Sequence, residues 1–348
     1  MRRRFSFGCV LNLRQFSSRC ASGLGLILIA FIAVQSCAAQ TNAFFPFCID
    51  WHDAKKRTFE EQAKMLKELG YDGVGHIWLD KVEERLKSLD DAGLRLFQIT
   101  MIVDLAPGKT PYDTNRFKQV CSLIKGRHVQ FDLLLNGRKS SDPSVDAQAV
   151  EVLREMSELA RDSGSQILLY PHLNSWVERI EDSIRVADQV DRPNVGVMFN
   201  LCHWLRVDKQ RDYRPLLQRA LPRLWAVSLN GANAHSDKSN WEDYIQPLGQ
   251  GDFDMAGFLG TLRELGYTGP IGLQCYGIGG DAREHLARSM EAWRKFTKTT
   301  ADRSTPFAFQ CCTARRMSRR SARPIISSNV RKPSCAMSRR TDSATKKK

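Results

Sequence analysis

Two hydrophobic patterns alternate along residues 44–297. Short unbroken apolar runs, such as residues 195–199, read as buried strands. Segments with apolar residues three and four apart, such as Val177, Ile180, Ile184 and Ala187, read as helices packed on one face. One joint recurs between them. "LKELGYDGVGHIWL" (66–79) matches "LRELGYTGPIGLQC" (262–275), and "LDDAGLRLFQI" (89–99) and "ARDSGSQILLY" (160–170) repeat it more loosely. In the two closest copies a helix ends at a glycine, Gly70 or Gly266, placed to take the left-handed conformation that terminates helices. A short link and an apolar strand follow.

The pattern predicts strands at about 44–50, 73–78, 94–102, 128–135, 166–170, 195–199, 224–229 and 270–275. Helices are predicted at about 59–69, 80–91, 114–125, 145–162, 176–190, 212–220, 253–265 and 281–297. Thr58 and Glu61 form a capping-box pair at the start of the first helix. Strands alternating with helices make a parallel sheet. Eight such units in about 255 residues predict an α/β fold of the (β/α)8 TIM barrel type. An open doubly wound sheet is the alternative, but no G-x-G-x-x-G follows the first strand, so no nucleotide cofactor is expected.

Charge then divides the chain. The net charge is +14, yet residues 1–40 carry +5 and residues 301–348 carry +11, leaving the body near neutral at −2. A nucleic-acid groove needs basic residues on the folded part, so no nucleic-acid partner is expected. The first 40 residues read as an export segment. "MRRR" is cationic, "LGLILIAFIAV" is apolar but short for a membrane span, and "QSCAAQ" offers small residues for cleavage. The leading expectation is an exported protein, periplasmic or secreted. A lipid anchor at Cys37 is the alternative. Residues 301–348, rich in Ser and Arg without apolar period, read as a disordered basic tail. Residues 41–300 are then the barrel.

The body holds four cysteines, Cys48, Cys121, Cys202 and Cys275, with no C-x-x-C pair. A zinc ribbon is excluded, and buried free thiols are favoured over disulfides.

In a barrel the chemistry stands at the carboxyl ends of the strands. In strand order these ends carry Asp50, His52 and Asp53; His76; Asp104; Asn136 and Lys139; Tyr170, His172 and Asn174; Asn200 and His203; Ser228, Asn230 and Asn233; Gln274 and Tyr276. Amides and hydroxyls dominate. Each amide both donates and accepts, which suits a polyhydroxylated ligand such as a sugar. Trp78, Trp176 and Trp204 stand nearby as apolar faces for sugar rings. His52, His128 and His285 read as structural.

These residues resemble the xylose-isomerase-like barrel superfamily, which holds sugar phosphate isomerases and epimerases. The likeness runs over about residues 43–298. It is carried by "ELGYDGV", by "YPHLNSWVERIEDSIRVADQVDRPNVGVMFNLCHWL" and by "PLGQGDFDMAGFLGTLRELGYTGPIGLQ". The resemblance implies one divalent cation, zinc or manganese, held by a Glu, an Asp, a His and a Glu at the ends of strands 5 to 8. Here Tyr170, Asn200, Ser228 and Gln274 stand at those places, while His203 keeps the histidine that follows the strand 6 acid. Hard cations need anionic oxygen, so any metal would fall back on His172 and His203 as weak ligands.

The expected activity is therefore isomerase- or epimerase-like. A proton would move next to a carbonyl of a sugar or sugar derivative, with His172 and His203 as catalytic groups. Tyr170, Asn200, Asn230, Gln274, Tyr276, His76, Lys139 and Trp176 are the expected substrate-binding residues. Asp50, Asp104 and Glu178 are further candidate carboxylates. A non-catalytic carbohydrate-binding barrel is the alternative. A metal-dependent phosphodiesterase is disfavoured because the required cluster of acids and histidines is missing.

Overall fold

The computed structural model describes residues 42–208, 212–236 and 240–302. The expected export segment, the Cys37 anchor and most of the basic tail lie outside them.

Eight parallel strands build the fold: β1 (Phe44–Phe47), β2 (Gly73–Ile77), β3 (Arg95–Asp104), β4 (Gln130–Asn136), β5 (Gln166–Leu169), β6 (Val195–Asn200), β7 (Leu224–Leu229) and β8 (Ile271–Gln274). Their order is β1-β8-β7-β6-β5-β4-β3-β2, with every ladder parallel. β2 packs beside β1 without a ladder. The sheet thus curls into the expected (β/α)8 barrel, closed except at that seam. Gly75 makes the seam possible, because a Cβ there would stand 2.7 Å from the Phe47 Cβ.

Helices α1 (Phe59–Leu69), α2 (Val82–Ala92), α3 (Thr114–Leu123), α4 (Asp146–Arg161) and α5 (Ile180–Val190) follow the first five strands. α6 (Leu201–Val207) and α7 (Arg214–Ala220) follow β6, α8 (Met255–Glu264) follows β7 and α9 (Ala282–Asp302) follows β8. The capping box forms: Thr58 Oγ1 accepts from the Glu61 amide at 3.3 Å, and Glu61 Oε2 accepts from the Thr58 amide at 2.8 Å. Gly70 and Gly266 are left-handed, at φ of 88° and 76°.

β1 closes at Phe47 rather than 50 and α9 runs on to Asp302 rather than 297, and two further differences bear on the site. α5 begins at Ile180 rather than 176, because Asp182 Oδ2 accepts from the Glu178 and Arg179 amides and caps the helix there. Val177 is buried in the preceding loop instead. α6 is an additional helix that starts as β6 ends, with Asn200 as its cap: the Asn200 Oδ1 accepts from the His203 amide at 3.3 Å. The four cysteines of the body are free thiols, three of them buried.

The core lies mainly between strands and helices. Inside the barrel the floor is polar. Gln98, Gln130 and Gln166 form a chain of side-chain hydrogen bonds. Phe47, Leu168, Tyr170, Met198 and Ala226 form a separate apolar plug above it.

Candidate active site

A cavity of about 230 Å³ opens at the carboxyl ends of the strands. Phe47 of β1, Ile77 of β2, Thr100 of β3, Leu134 of β4 and Gln274 of β8 line it, with Cys48, Trp51, Trp78, Tyr170, His172, His203, Trp241, Ile245 and Tyr276 from the loops and α6. The lining is rich in aromatic rings and carries no carboxylate, lysine or arginine.

Tyr170, His172, His203, Gln274 and Tyr276 meet there as the sequence predicts. Asn200 stands one layer behind. Its Nδ2 donates to the Tyr170 hydroxyl at 2.7 Å, and the Gln274 Nε2 donates to the same hydroxyl at 3.4 Å. The amide oxygens turn away. Asn200 Oδ1 accepts from Cys202 Sγ and the His203 amide, and Gln274 Oε1 accepts from the Tyr276 amide at 3.0 Å. Two amides thus converge on a phenol oxygen. Burial holds the Tyr170 hydroxyl well above its ordinary pKa, so it stays neutral. Ser228 is paired with Asn200 across the β6–β7 ladder, and its buried Oγ has no partner.

The two histidines are in ring contact, with centroids 3.9 Å apart and planes tilted by 43°. Their backbone partners define their tautomers. His172 Nδ1 lies 2.9 Å from the Leu173 carbonyl, which only accepts, so this nitrogen carries the proton and Nε2 keeps a lone pair. His203 Nδ1 lies 3.4 Å from the Leu173 amide, which only donates, so here Nε2 carries the proton. One residue, Leu173, sets opposite tautomers on two touching rings. Burial lowers the pKa of His172, and it lowers that of His203 well below the ordinary value, with His172 and Arg206 adding to the effect. Both rings are neutral at pH 7. No described protein group hydrogen-bonds either Nε2.

Four expected binding residues stand elsewhere. His76 is buried beside α2, where Nε2 donates to the Asp80 carbonyl at 2.7 Å and Nδ1 accepts from Arg85 at 3.4 Å. Trp176 is fully buried, and its indole N–H donates to the Asp142 carbonyl. Asn230 is buried, with Nδ2 donating to the Gly231 and Tyr244 carbonyls. Lys139 is exposed outside the cavity. Trp204 faces Phe199 and Tyr213, leaving Trp78 as the one expected tryptophan in the cavity. The carboxylates are occupied too. Asp50 pairs with Arg85, Asp104 accepts from the Ala106 amide and Glu178 accepts from the Asn174 amide.

Sequence reasoning missed Trp51, Trp241, Thr100 and Asp132. Trp51 sits within "CIDWHD", where the acids and the histidine drew attention away from the ring. Trp241 arrives from the long loop after β7, a placement no local pattern encodes. Asp132 is a carboxylate inside the apolar run "FDLLL" of β4, and that anomaly was a readable signal. It is fully buried beneath the cavity, where Oδ2 accepts from Thr100 Oγ1 at 2.6 Å and Oδ1 has no partner. Burial raises its pKa to about 7.

Among the described residues, no group of three or more His, Cys, Asp or Glu side chains is placed to hold a metal ion.

The chain is 23% identical over 235 residues to the inosose isomerase of Bacillus velezensis, covering 62% of this chain and 83% of the relative. The probable 3-DHS dehydratase of Bacillus anthracis superposes with a TM-score of 0.59 at 16% identity, over 72% of this chain and 98% of that one. A xylose isomerase-like TIM barrel protein of Mycobacterium smegmatis, solved in complex with magnesium, gives 0.55 at 18% identity, over 75% and 98%. The family model described as xylose isomerase-like TIM barrel matches residues 63–296. The chain belongs to the xylose isomerase-like TIM barrel family.

Proposed function

We propose that this protein is a sugar isomerase- or epimerase-like enzyme that moves a proton next to a carbonyl with its histidine pair. The observation that carries this reading is the opposed tautomers of His172 and His203 at the wall of one cavity. His172 Nε2 is a base with a free lone pair, and His203 Nε2–H is a donor. In the proposed step His172 takes the proton from the carbon beside the carbonyl. The C–H electron pair becomes the C=C bond of an enediolate, and the carbonyl π pair moves to oxygen. His203 holds that oxygen as it gains charge. A neutral imidazole N–H is a suitable donor for this purpose. The adjacent hydroxyl then passes its proton to the charged oxygen and its carbon becomes the new carbonyl, while His172 returns its proton to the former carbonyl carbon, which completes an isomerisation.

The donor set argues against the divalent cation that the family resemblance implies. The strand ends offer a neutral phenol, two amides and a hydroxyl. Both amide oxygens are already engaged, and the Tyr170 hydroxyl stands where the amides converge. Nothing anionic there offsets the dehydration of a hard cation. The uncharged lining also disfavours a phosphorylated or carboxylated substrate, whose charge would be buried without a counter-ion. A neutral sugar or sugar derivative is the better match. A relative named inosose isomerase is consistent with this chemistry.

The second reading is a carbohydrate-binding barrel without turnover, favoured by the same lack of carboxylates. NMR of a panel of neutral aldoses and ketoses in D2O separates the two. Deuterium entering the carbon beside the carbonyl supports the enzyme. Saturable binding without exchange supports the binding protein and ends the enzymatic reading.

A further inference from the structure

We infer that the mouth of the barrel is a subsite for a second sugar ring, so that the ligand is a glycoside or disaccharide rather than a free monosaccharide. This rests on the neutral-sugar reading of the cavity.

Among the described residues, three large apolar side chains are exposed: Trp51 at 52%, Ile102 at 42% and Tyr276 at 37%. All three stand at the carboxyl end of the barrel, in the loop after β1, near the end of β3 and in the loop after β8. Exposed apolar groups gathered at one place mark a binding surface, whereas scattered ones need no explanation. The rings are also arranged. Trp51 lies 6.2 Å from Trp78 at a tilt of 36°, and Tyr276 meets Trp51 edge-on at 6.1 Å. His52 abuts Tyr276 edge-on at 5.0 Å. Trp78 is held at φ 70° and Cys48 at φ 60°. A bulky residue in the left-handed region is strained, and such strain gathers at ligand-binding sites. The backbone thus keeps Trp78 in an unfavourable conformation beside the cavity.

Size supplies the second argument. At about 230 Å³ the cavity is smaller than the ~300–1,000 Å³ of pockets that enclose drug-sized ligands. That volume suits one sugar ring, and Trp51 and Tyr276, which line the cavity and are also exposed, are placed to meet a group attached to that ring. The exposed rings of Trp51 and Tyr276 are uncharged, so their complement is a ring with an apolar C–H face whose hydroxyls remain in water. A pyranose has that character.

The test is calorimetric titration of the full chain with glucose, galactose and mannose, each as free sugar, methyl glycoside and (1→4)-linked disaccharide. Wild type is compared with Trp51→Ala and Trp51→Phe. Trp51 is half exposed, so its removal leaves the core filled. The subsite predicts at least one disaccharide binding about tenfold more tightly than its monosaccharide, from burial of one ring face. Trp51→Ala should bring that ratio close to one, and Trp51→Phe should keep most of it. Monosaccharides binding as tightly as disaccharides, or a ratio unchanged in Trp51→Ala, overturns the subsite and leaves the sugar reading standing. Absence of binding by every sugar overturns both.

Discussion

Two corners of the barrel each place histidine near the end of a strand, and they use it in opposite ways. At the β2 corner His76 has both ring nitrogens engaged, one by the Asp80 carbonyl and one by Arg85, within a buried network that includes Gln62 and Asp50. At the β5–β6 corner His172 and His203 each engage Nδ1 with the Leu173 backbone, and both residues line the cavity. The first corner also keeps charge, through the fully buried Arg85 and its ion pair to Asp50. At the second, the groups that line the cavity are all uncharged. What separates a structural histidine from a chemical one is therefore the partner of its second nitrogen. The first corner belongs to stability, and we propose that the second belongs to catalysis.

The comparison breaks most sharply at the histidines. His172→Ala and His203→Ala should each lower turnover of a responsive sugar by about 10²–10⁴-fold, the usual weight of a general acid or base. The double variant should be little worse than either single one, because the two act as a unit. Normal turnover in both single variants would remove the pair from the mechanism. Since burial lowers both pKa values, the acid limb of the pH–rate profile should lie below 6.5 and turnover should be flat through neutrality.

At the other corner the effect should appear in stability. Asp50→Ala leaves the Arg85 guanidinium buried without its partner, a loss of about 3–5 kcal/mol. Urea unfolding should show it, while turnover per folded molecule stays within about twofold, below the weight of a general acid or base. A large loss of turnover with intact stability would make Asp50 a site residue after all. Tyr170→Phe should cost less, about 1–3 kcal/mol, because the Asn200 and Gln274 amides lose a shared acceptor. An unchanged unfolding midpoint would mean that the phenol does not organise the corner.

Most of the fold was legible in the sequence. The helix–glycine–strand joints at Gly70 and Gly266, the Thr58 capping box and the apolar runs are local signals, and the eight strands and eight helices they predict all form, with several ends displaced and α6 added. The site was half legible. The strand-end rule located Tyr170, His172, His203, Gln274 and Tyr276, because strand ends in a barrel must face its mouth. It failed for His76, Trp176 and Asn230, which stand at the same ends but turn to backbone carbonyls or to Arg85. Strand parity and loop path decide that direction, and neither is written in residue type. Trp241 was out of reach for the same reason.

A pH-dependent effect concerns Asp132. Its folded pKa of about 7 exceeds the unfolded carboxylate value, so the folded state holds a proton that the unfolded state has lost between about pH 4 and 7. Its contribution to stability is full below pH 4 and is lost as pH rises through 7. Asp132→Asn should therefore match wild type at pH 4 and unfold at a higher urea concentration at pH 8, with Thr100 still donating to the amide oxygen. The buried histidines act with the opposite sign. His285, lowered by burial to about 4, withdraws stability as pH falls from 6.5 toward 4.

The most direct test of the central claim is deuterium exchange from D2O into a responsive neutral sugar, measured on protein stripped of metal with a chelator and checked by elemental analysis. The histidine-pair account predicts exchange at the carbon beside the carbonyl that is undiminished by stripping and lost in His172→Ala. Exchange that vanishes on stripping and returns only with added zinc, manganese or magnesium would contradict it.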